Sequence, residues 1–282
     1  MRVSDVKNIL RSLSMRVDKR LGQHFLIDER IARRQVEFAS IGPEEVVLEI
    51  GPGLGVLTRL LFEKSRNVIA VEKDRRLCSY LEKEMPGVNV IKGDALKAEI
   101  PRFDVVVSNL PYQISSPITF RLLEMRFDRA VLMFQREFAE RVVAIQGDNG
   151  YSRLSVQVYY RSEAEIIEDV PRSAFYPPPE VDSSLVLLRP RPPPFTVKDD
   201  GFFKNVVDCL FQHRRKTIEN ALSLSCRDFR MTKEAVREAV NRSEFSGKRV
   251  EELRPEEIGR LSDFLLEPPK TGVSGSGFTA KD

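Results

Sequence analysis

Val46-Val47-Leu48-Glu49-Ile50-Gly51-Pro52-Gly53-Leu54-Gly55 decides the fold. A short apolar run leads into three glycines spaced G-x-G-x-G, and residues 54–65 continue with helical patterning. A strand that turns on glycine into a helix brings backbone N–H groups close to a ligand. Val68-Ile69-Ala70-Val71-Glu72 repeats the strand pattern, and Glu72 stands 21 positions after Gly51. An acid at that place can accept both hydroxyls of a ribose. The dinucleotide fingerprint is G-x-G-x-x-G. The spacing here leans away from a nicotinamide cofactor and towards S-adenosylmethionine.

The same alternation extends outward. Residues 31–39 and 74–85 look helical, and Val88 to Ile91, Asp104 to Ser108 and Ala130 to Phe134 look like further strands. Strands alternating with helices predict a mostly parallel sheet covered on both faces, an α/β Rossmann-like fold. Ligands of such sheets bind outside the carboxyl ends of the strands. Leu154 to Tyr160, Glu165 to Val170 and Ser184 to Leu188 read as closely connected strands, which predicts an antiparallel end to the sheet. Arg189-Pro190-Arg191-Pro192-Pro193-Pro194 is a stiff linker. Residues 202–224, 232–242 and 255–266 then read as helices. The expected organisation is a Rossmann-like domain with a basic amino-terminal arm over 1–190, a small helical domain over 191–267, and a disordered Gly- and Ser-rich tail over 268–282.

Two further motifs sit at strand ends. Gly93-Asp94-Ala95-Leu96 follows the third strand. Asp94 could receive an adenine amine, or could simply cap the next helix. Asn109-Leu110-Pro111-Tyr112 follows the fourth strand and carries the most chemistry. An adenine exocyclic amine is a poor nucleophile because its lone pair is conjugated into the ring. The Asn109 side-chain carbonyl and the Leu110 or Pro111 backbone carbonyl can grip both N–H groups and favour a pyramidal nitrogen. Proline fixes the local backbone and removes a competing N–H. Tyr112 offers a face on which a base stacks. Catalysis of this kind is alignment plus electrostatic stabilisation. Glu49 is either a buried acid bonding the glycine loop or half of a structural salt bridge.

Composition bounds the rest. A chain of 282 residues buries roughly 75% of its unfolded surface. Its 45 Lys and Arg against 42 Asp and Glu exclude a polycation, and no apolar run spans a membrane. Cys78, Cys209 and Cys226 are far apart, and His24 and His213 are the only histidines, so neither a zinc site nor a disulfide framework is expected. A reducing, cytoplasmic location follows. Residues 1–20 hold six basic residues, and Val3, Val6, Leu10 and Leu13 recur at helical spacing. Such a start can be a transit peptide; Asp5 and Asp18 argue for a basic arm instead.

Together these motifs resemble the rRNA adenine N6,N6-dimethyltransferase family, the small-subunit enzymes of the kasugamycin-sensitivity type. Relatives are the erythromycin-resistance methylases and the mitochondrial transcription factor B proteins. The resemblance runs from about Lys19 to about Leu266. It rests on Leu21-Gly22-Gln23-His24-Phe25-Leu26, Glu49 to Gly55, Gly93 to Ala95, Asn109 to Pro117, and Phe175-Tyr176-Pro177-Pro178-Pro179-Glu180-Val181-Asp182-Ser183. Asn109 to Leu122 and Phe211 to Thr217 are worded most like archaeal members.

The resemblance implies an S-adenosylmethionine-dependent methyltransferase sheet, with Gln23, His24 and Leu26 at the methionine end of the cofactor. Gly51, Gly53, Glu72, Asp94, Ala95 and Asn109 would hold the remainder. Asn109, Leu110, Pro111 and Tyr112 would form the catalytic set, with Phe175 as an aromatic wall opposite Tyr112 around a flipped adenine. Many relatives have Asn where His24 stands, so imidazole acid–base chemistry does not carry over. Glu180 replaces the family's usual basic residue, which weakens a phosphate role there.

The expected partner is small-subunit rRNA in a pre-30S-type particle, met by a monomer without a membrane. Arg214, Arg215 and Lys216 form a basic knot on an expected helix, and Arg30, Arg33 and Arg34 add charge. Clustered basic residues supply the salt-dependent part of RNA affinity; a solvated helix face is the competing reading. Alternatives are a resistance-type methylase of large-subunit rRNA and a non-catalytic RNA-binding assembly or transcription factor.

Overall fold

The computed structural model describes residues 1–15, 23–225 and 232–266. Arg16, Lys19, Arg20, Leu21, Gly22, Cys226 and the 268–282 tail lie outside the described residues. The chain divides into two compact units, Met1–Pro194 and Phe195–Asp282.

The first unit contains, in order, α1 (Val3–Ser12), β1 (Phe25–Leu26), α2 (Glu29–Ala39), β2 (Val47–Ile50), α3 (Val56–Lys64), β3 (Val68–Glu72), α4 (Arg75–Glu84), β4 (Asn89–Lys92) and β5 (Val105–Asn109). There follow α5 (Ser115–Leu123), β6 (Arg129–Gln135), α6 (Arg136–Val143), α7 (Arg153–Arg161), β7 (Ser162–Val170), β8 (Phe175–Tyr176) and β9 (Ser183–Pro190). Seven strands form one sheet in the order β4-β3-β2-β5-β6-β9-β7. The first five are parallel, and β9 runs antiparallel to both β6 and β7. The winding reverses between β2 and β5, and a reversal of this kind opens a crevice at the carboxyl ends of the strands.

The central strands form because both of their faces find cover, whereas the edge strands β4 and β7 are partly exposed. Every residue of β2 and β3 is buried. Alternate side chains serve opposite faces. Val47, Val68, Ala70, Val105 and Val107 pack with Ile31, Val36, Leu57 and Leu60 of α2 and α3. Leu48, Ile50, Ile69, Val71 and Val106 pack with Ile118, Leu122, Leu154 and Val158 of α5 and α7. Asp28 and Asp74 cap α2 and α4 by accepting the Arg30 and Arg76 amides at 3.0 and 2.9 Å.

Leu154 to Tyr160 is helix α7 and not the expected strand. Leu154, Val156, Val158 and Tyr160 alternate as in a strand, but the helix is buried on several sides, so apolar residues occupy more than one face. The Ser152 amide also donates to Ser155 Oγ at 3.1 Å, a local start signal for a helix. Helix α6 was not anticipated; its Ala139 and Val142 join the same core.

The second unit holds α8 (Asp200–Phe211), α9 (Ile218–Leu224), α10 (Lys233–Asn241) and α11 (Pro255–Leu266). The single helix expected over 202–224 is therefore two, and His213 to Lys216 form the turn between them rather than a helix face. Residues 249–251 strap that turn: Glu251 N–H donates to Arg214 O, Val250 N–H to Lys216 O, and Arg249 Nη1 to Arg215 O at 2.8 Å. No helix is long and apolar enough to cross a membrane among the described residues.

Candidate active site

The turn after β2 is built on left-handed backbone. Gly51, Gly53 and Gly55 have φ of +70°, +57° and +76°, a region that costs other residues about 1–2 kcal/mol each. A Cβ on Gly51 would meet the Pro111 ring at 3.2 Å, and one on Gly53 would meet Phe25 at 3.2 Å. The glycines thus let the turn lie against both the segment after β5 and the segment before α2.

Glu72 ends β3 and closes this turn. Its Oε2 accepts the Gly53 amide at 3.2 Å, and Oε1 accepts the Lys73 and Asp74 amides at 2.8 and 2.9 Å. Burial raises its pKa, and the Asp74, Gly53 and Lys73 amides oppose that rise. Asp94 opens a turn rather than a helix, and it lines the site's cavity. Its Oδ1 accepts the Leu96 amide at 3.0 Å, while Oδ2 faces Lys73 Nζ at 3.0 Å. The Leu96 amide, and then Lys73, hold its carboxyl below the usual range. Lys73 is a rim residue that the sequence reading missed; its place directly after the strand-end acid was the available signal. Glu49 has no salt bridge among the described residues. It is fully buried, its Oε2 has no hydrogen-bond partner, and desolvation pushes its pKa up to about 8.

Asn109 is the last residue of β5. The strand end is held by Ser108, whose Oγ donates to Ile50 O, and by Gln35 Nε2, which donates to Ser108 O and Val131 O at 3.2 Å. Asn109 Oδ1 is buried and has no partner. An unpaired buried carbonyl costs roughly 1–3 kcal/mol, so an acceptor left open there is poised for a donor from a ligand. Tyr112 follows in a short 3₁₀ turn, and its Oη lies 2.7 Å from Ser183 Oγ. Burial raises the Tyr112 pKa.

The far wall comes from a pairing that no local pattern announces. β1 and β8 are two-residue strands in antiparallel register, Phe25 opposite Tyr176 and Leu26 opposite Phe175. Helix α1 packs Val6 and Leu10 against Phe25, Leu54 and Leu77 behind them. His24, just before β1, places Nδ1 2.8 Å from Pro177 O and stacks on Tyr112 with ring centroids 5.7 Å apart at 30°.

These elements enclose a cavity of about 380 Å³. Gln23, His24, Gly51, Gly53, Glu72, Asp94, Ala95 and Asn109 all line it. So do Leu110, Pro111, Tyr112 and Phe175. Leu26 does not: β1 turns its side chain into the core, where it is 4% exposed. Phe175 lines the cavity with a side chain that is only 4% exposed and makes no ring contact with Tyr112 among the described residues; the ring stacked on Tyr112 is that of His24. Phe25 and Leu77 are apolar liners that the sequence reading missed, since nothing local distinguishes them from core.

The basic residues divide. Arg34 Nε donates to both carboxylate oxygens of Glu168 at 2.8 and 3.0 Å, Arg33 pairs with Glu29 and Arg30 with Asp28. In the second unit Arg214 lies 3.8 Å from Glu251. No carboxylate among the described residues pairs with Arg215 or Lys216, which makes these two the better anion-binding candidates.

The donor set fits S-adenosylmethionine. A side-chain-free glycine turn, two carboxylates at or just beyond strand ends (Glu72 and Asp94) that could accept ribose hydroxyls and an adenine amine, and an orphaned Asn109 carbonyl share one cavity. The comparisons agree. Residues 15–265 match the family described as "Ribosomal RNA adenine dimethylase". A Thermococcus kodakarensis protein named "Probable ribosomal RNA small subunit methyltransferase A" is 46% identical over 263 residues, 92% of this chain and 93% of that one. A Methanosarcina acetivorans protein of the same name is 44% identical over 250 residues, 87% of this chain and 92% of its own. Among crystal structures, a dimethyladenosine transferase from Plasmodium falciparum superposes with a TM-score of 0.72 at 31% identity, covering 84% of this chain and 96% of that one. The 23S rRNA methyltransferase ErmE gives 0.63 at 33%, covering 86% and 99%. The chain belongs to the ribosomal RNA adenine dimethylase family.

Proposed function

We propose that this enzyme dimethylates N6 of two adjacent adenosines in the 3′-terminal hairpin of small-subunit rRNA, four transfers in all. It does so as a cytoplasmic monomer on a pre-30S-type particle. The methyl donor is S-adenosylmethionine, which supplies an already activated methyl group, so no residue need first remove a proton from the target amine. Asn109 Oδ1 accepts one N–H of that amine, and the Leu110 or Pro111 carbonyl accepts the other. This pair aligns the nitrogen lone pair and stabilises the charge that develops there. Tyr112, tethered by Ser183, supports the base face. Glu72 and the glycine turn orient the donor.

One observation carries this reading: a buried carbonyl without a partner, in a cavity shared with the glycine turn and a tethered tyrosine. The relatives at 44–46% identity bear small-subunit names, which favours that subunit over the large one. ErmE, named for 23S rRNA, keeps the large-subunit reading as the second. Incubation with labelled S-adenosylmethionine and either unmethylated small subunits or large-subunit rRNA, followed by nucleoside analysis, separates them. N6,N6-dimethyladenosine from the small subunit is expected. Label confined to the large subunit overturns the assignment.

A further inference from the structure

We propose that Arg121 is a positioning residue for the adenine end of the cofactor: it fixes the peptide between Ala95 and Leu96, and through that peptide the carboxylate of Asp94. It rests on the reading of Asp94 as the acceptor of the cofactor's adenine amine.

Arg121 stands on α5, the helix that follows the Asn109–Tyr112 segment, and reaches across to the turn after β4. Its Nη1 donates to Ala95 O and its Nη2 to Ala98 O, both at 2.5 Å. No carboxylate pairs with Arg121 among the described residues. A planar guanidinium with fixed donor directions suits two carbonyls on one turn, and its charge makes each bond stronger than a neutral one. Ile118 and Leu122, on either side of Arg121 along the helix, are buried in the core that Ala95 joins. The same helix face thus supplies both the packing and the clamp.

The turn also closes on itself, because Asp94 O accepts the Lys97 and Ala98 amides at 2.8 Å each. The peptide whose carbonyl Arg121 holds is the one whose N–H, from Leu96, donates to Asp94 Oδ1 at 3.0 Å. Arg121, that peptide and the Asp94 carboxylate therefore form one hydrogen-bonded chain, and the members of such a chain polarise one another. On the other oxygen, Oδ2 accepts from Lys73 Nζ at 3.0 Å. A carboxylate has about four acceptor directions, so this one keeps capacity for an amine from a ligand. Asp94 and Ala95 line the cavity, whereas Arg121 is not among its lining residues. Arg121 thus acts on a ligand through Asp94 and not by touching it.

An arginine that only supported the turn would weaken every cofactor-like ligand alike when removed. One that aims Asp94 matters only for a ligand that carries the adenine amine. S-inosylhomocysteine separates the two roles, because it has a carbonyl where S-adenosylhomocysteine has that amine. Calorimetric titration with both ligands reads the preference. The wild type should favour S-adenosylhomocysteine by at least about ten-fold, since an acceptor left without its donor is costly. Asp94→Ala should bring the preference close to unity. Arg121→Ala should weaken S-adenosylhomocysteine roughly five- to thirty-fold, part of what a hydrogen bond to a charged group is worth, and leave S-inosylhomocysteine within about two-fold. Arg121→Ala added to Asp94→Ala should cost little more, the non-additivity of residues acting in one chain. Arg121→Gln keeps one neutral donor, so its preference should fall between those of Arg121→Ala and the wild type.

Equal weakening of both ligands in Arg121→Ala overturns the proposal, and so does an undiminished preference. Should Arg121→Ala not fold, an undiminished preference in Arg121→Gln overturns it in the same way. A wild type without preference, or a preference that survives Asp94→Ala, sinks the reading of Asp94 and the role of Arg121 with it. A preference lost in Asp94→Ala but intact in both Arg121 variants sinks the role of Arg121 alone.

Discussion

Tyr112 at the end of the Asn109–Tyr112 segment is held by Ser183 at the start of β9, Oη to Oγ at 2.7 Å, with Ser183 fully buried. A neutral hydrogen bond contributes about 0.5–1.5 kcal/mol. Ser183→Ala should therefore lower kcat roughly two- to ten-fold by loosening the platform, with cofactor affinity unchanged. Steady-state methylation and calorimetric titration with S-adenosylhomocysteine check the two halves.

Asn109 Oδ1 has no partner within the protein, and the proposed mechanism gives it one from the substrate amine. Removing one preorganised electrostatic contact to a developing charge costs about 10²–10³ in kcat. Asn109→Ala should show a loss of that order, and its affinity for S-adenosylhomocysteine should stay within a few-fold of wild type. Near-normal turnover in this variant would refute the mechanism.

Gly51 couples the two halves of the site, since a Cβ there presses on Pro111 at 3.2 Å from a backbone with φ of +70°. Gly51→Ala should lower the melting temperature and weaken S-adenosylhomocysteine binding about ten-fold, consistent with ~1–2 kcal/mol of left-handed strain. Thermal unfolding with and without ligand measures both.

Glu49 sets a pH dependence. Its carboxyl is pushed from 4.5 to about 8 by burial. Below the unfolded value both states are protonated, and the native state carries no penalty. Between about 4.5 and 8 only the native chain keeps the proton, so stability falls as pH rises, by up to about 1.4 kcal/mol per unit. Burial moves Glu72 in the same direction. Glu49→Gln should gain on wild type as pH rises from 5 to 8.5 in urea unfolding. Parallel profiles for the two proteins would contradict the buried neutral acid.

In the second unit, Arg215→Glu with Lys216→Glu should weaken RNA binding and lower the log–log salt slope by roughly 0.7 per lost phosphate contact. Arg34→Ala should change either quantity little, because its guanidinium is already engaged by Glu168. Filter binding across a salt series distinguishes them.

Much of the parallel sheet was legible because strands covered on both faces are written as continuous apolar runs. The positions of Glu72 and Asn109 were legible for a related reason, since each ends such a run; Asp94, just beyond the partly exposed β4, was marked by the Gly93 before it. Helix α7 was not legible, since a helix buried on several sides loses the single stripe that periodicity detects. The turn at 213–216 looked helical because Arg and Lys are good helix formers, and no glycine or proline marks the break. The places of Leu26, Phe175 and His24 depend on the β1–β8 pairing, and two-residue strands carry no pattern to read.

That pairing also orders events in time. His24 meets Pro177 across 153 positions of sequence, and Phe25 meets Tyr176 beside it. During synthesis the glycine turn and the Asn109 segment emerge long before β8, so a nascent chain holds most of its chemistry with one wall missing. Contacts of such long range form late because loop closure must precede them. A chain cut short before residue 175 would therefore leave the ribosome open-sided, unable to present a finished pocket to RNA.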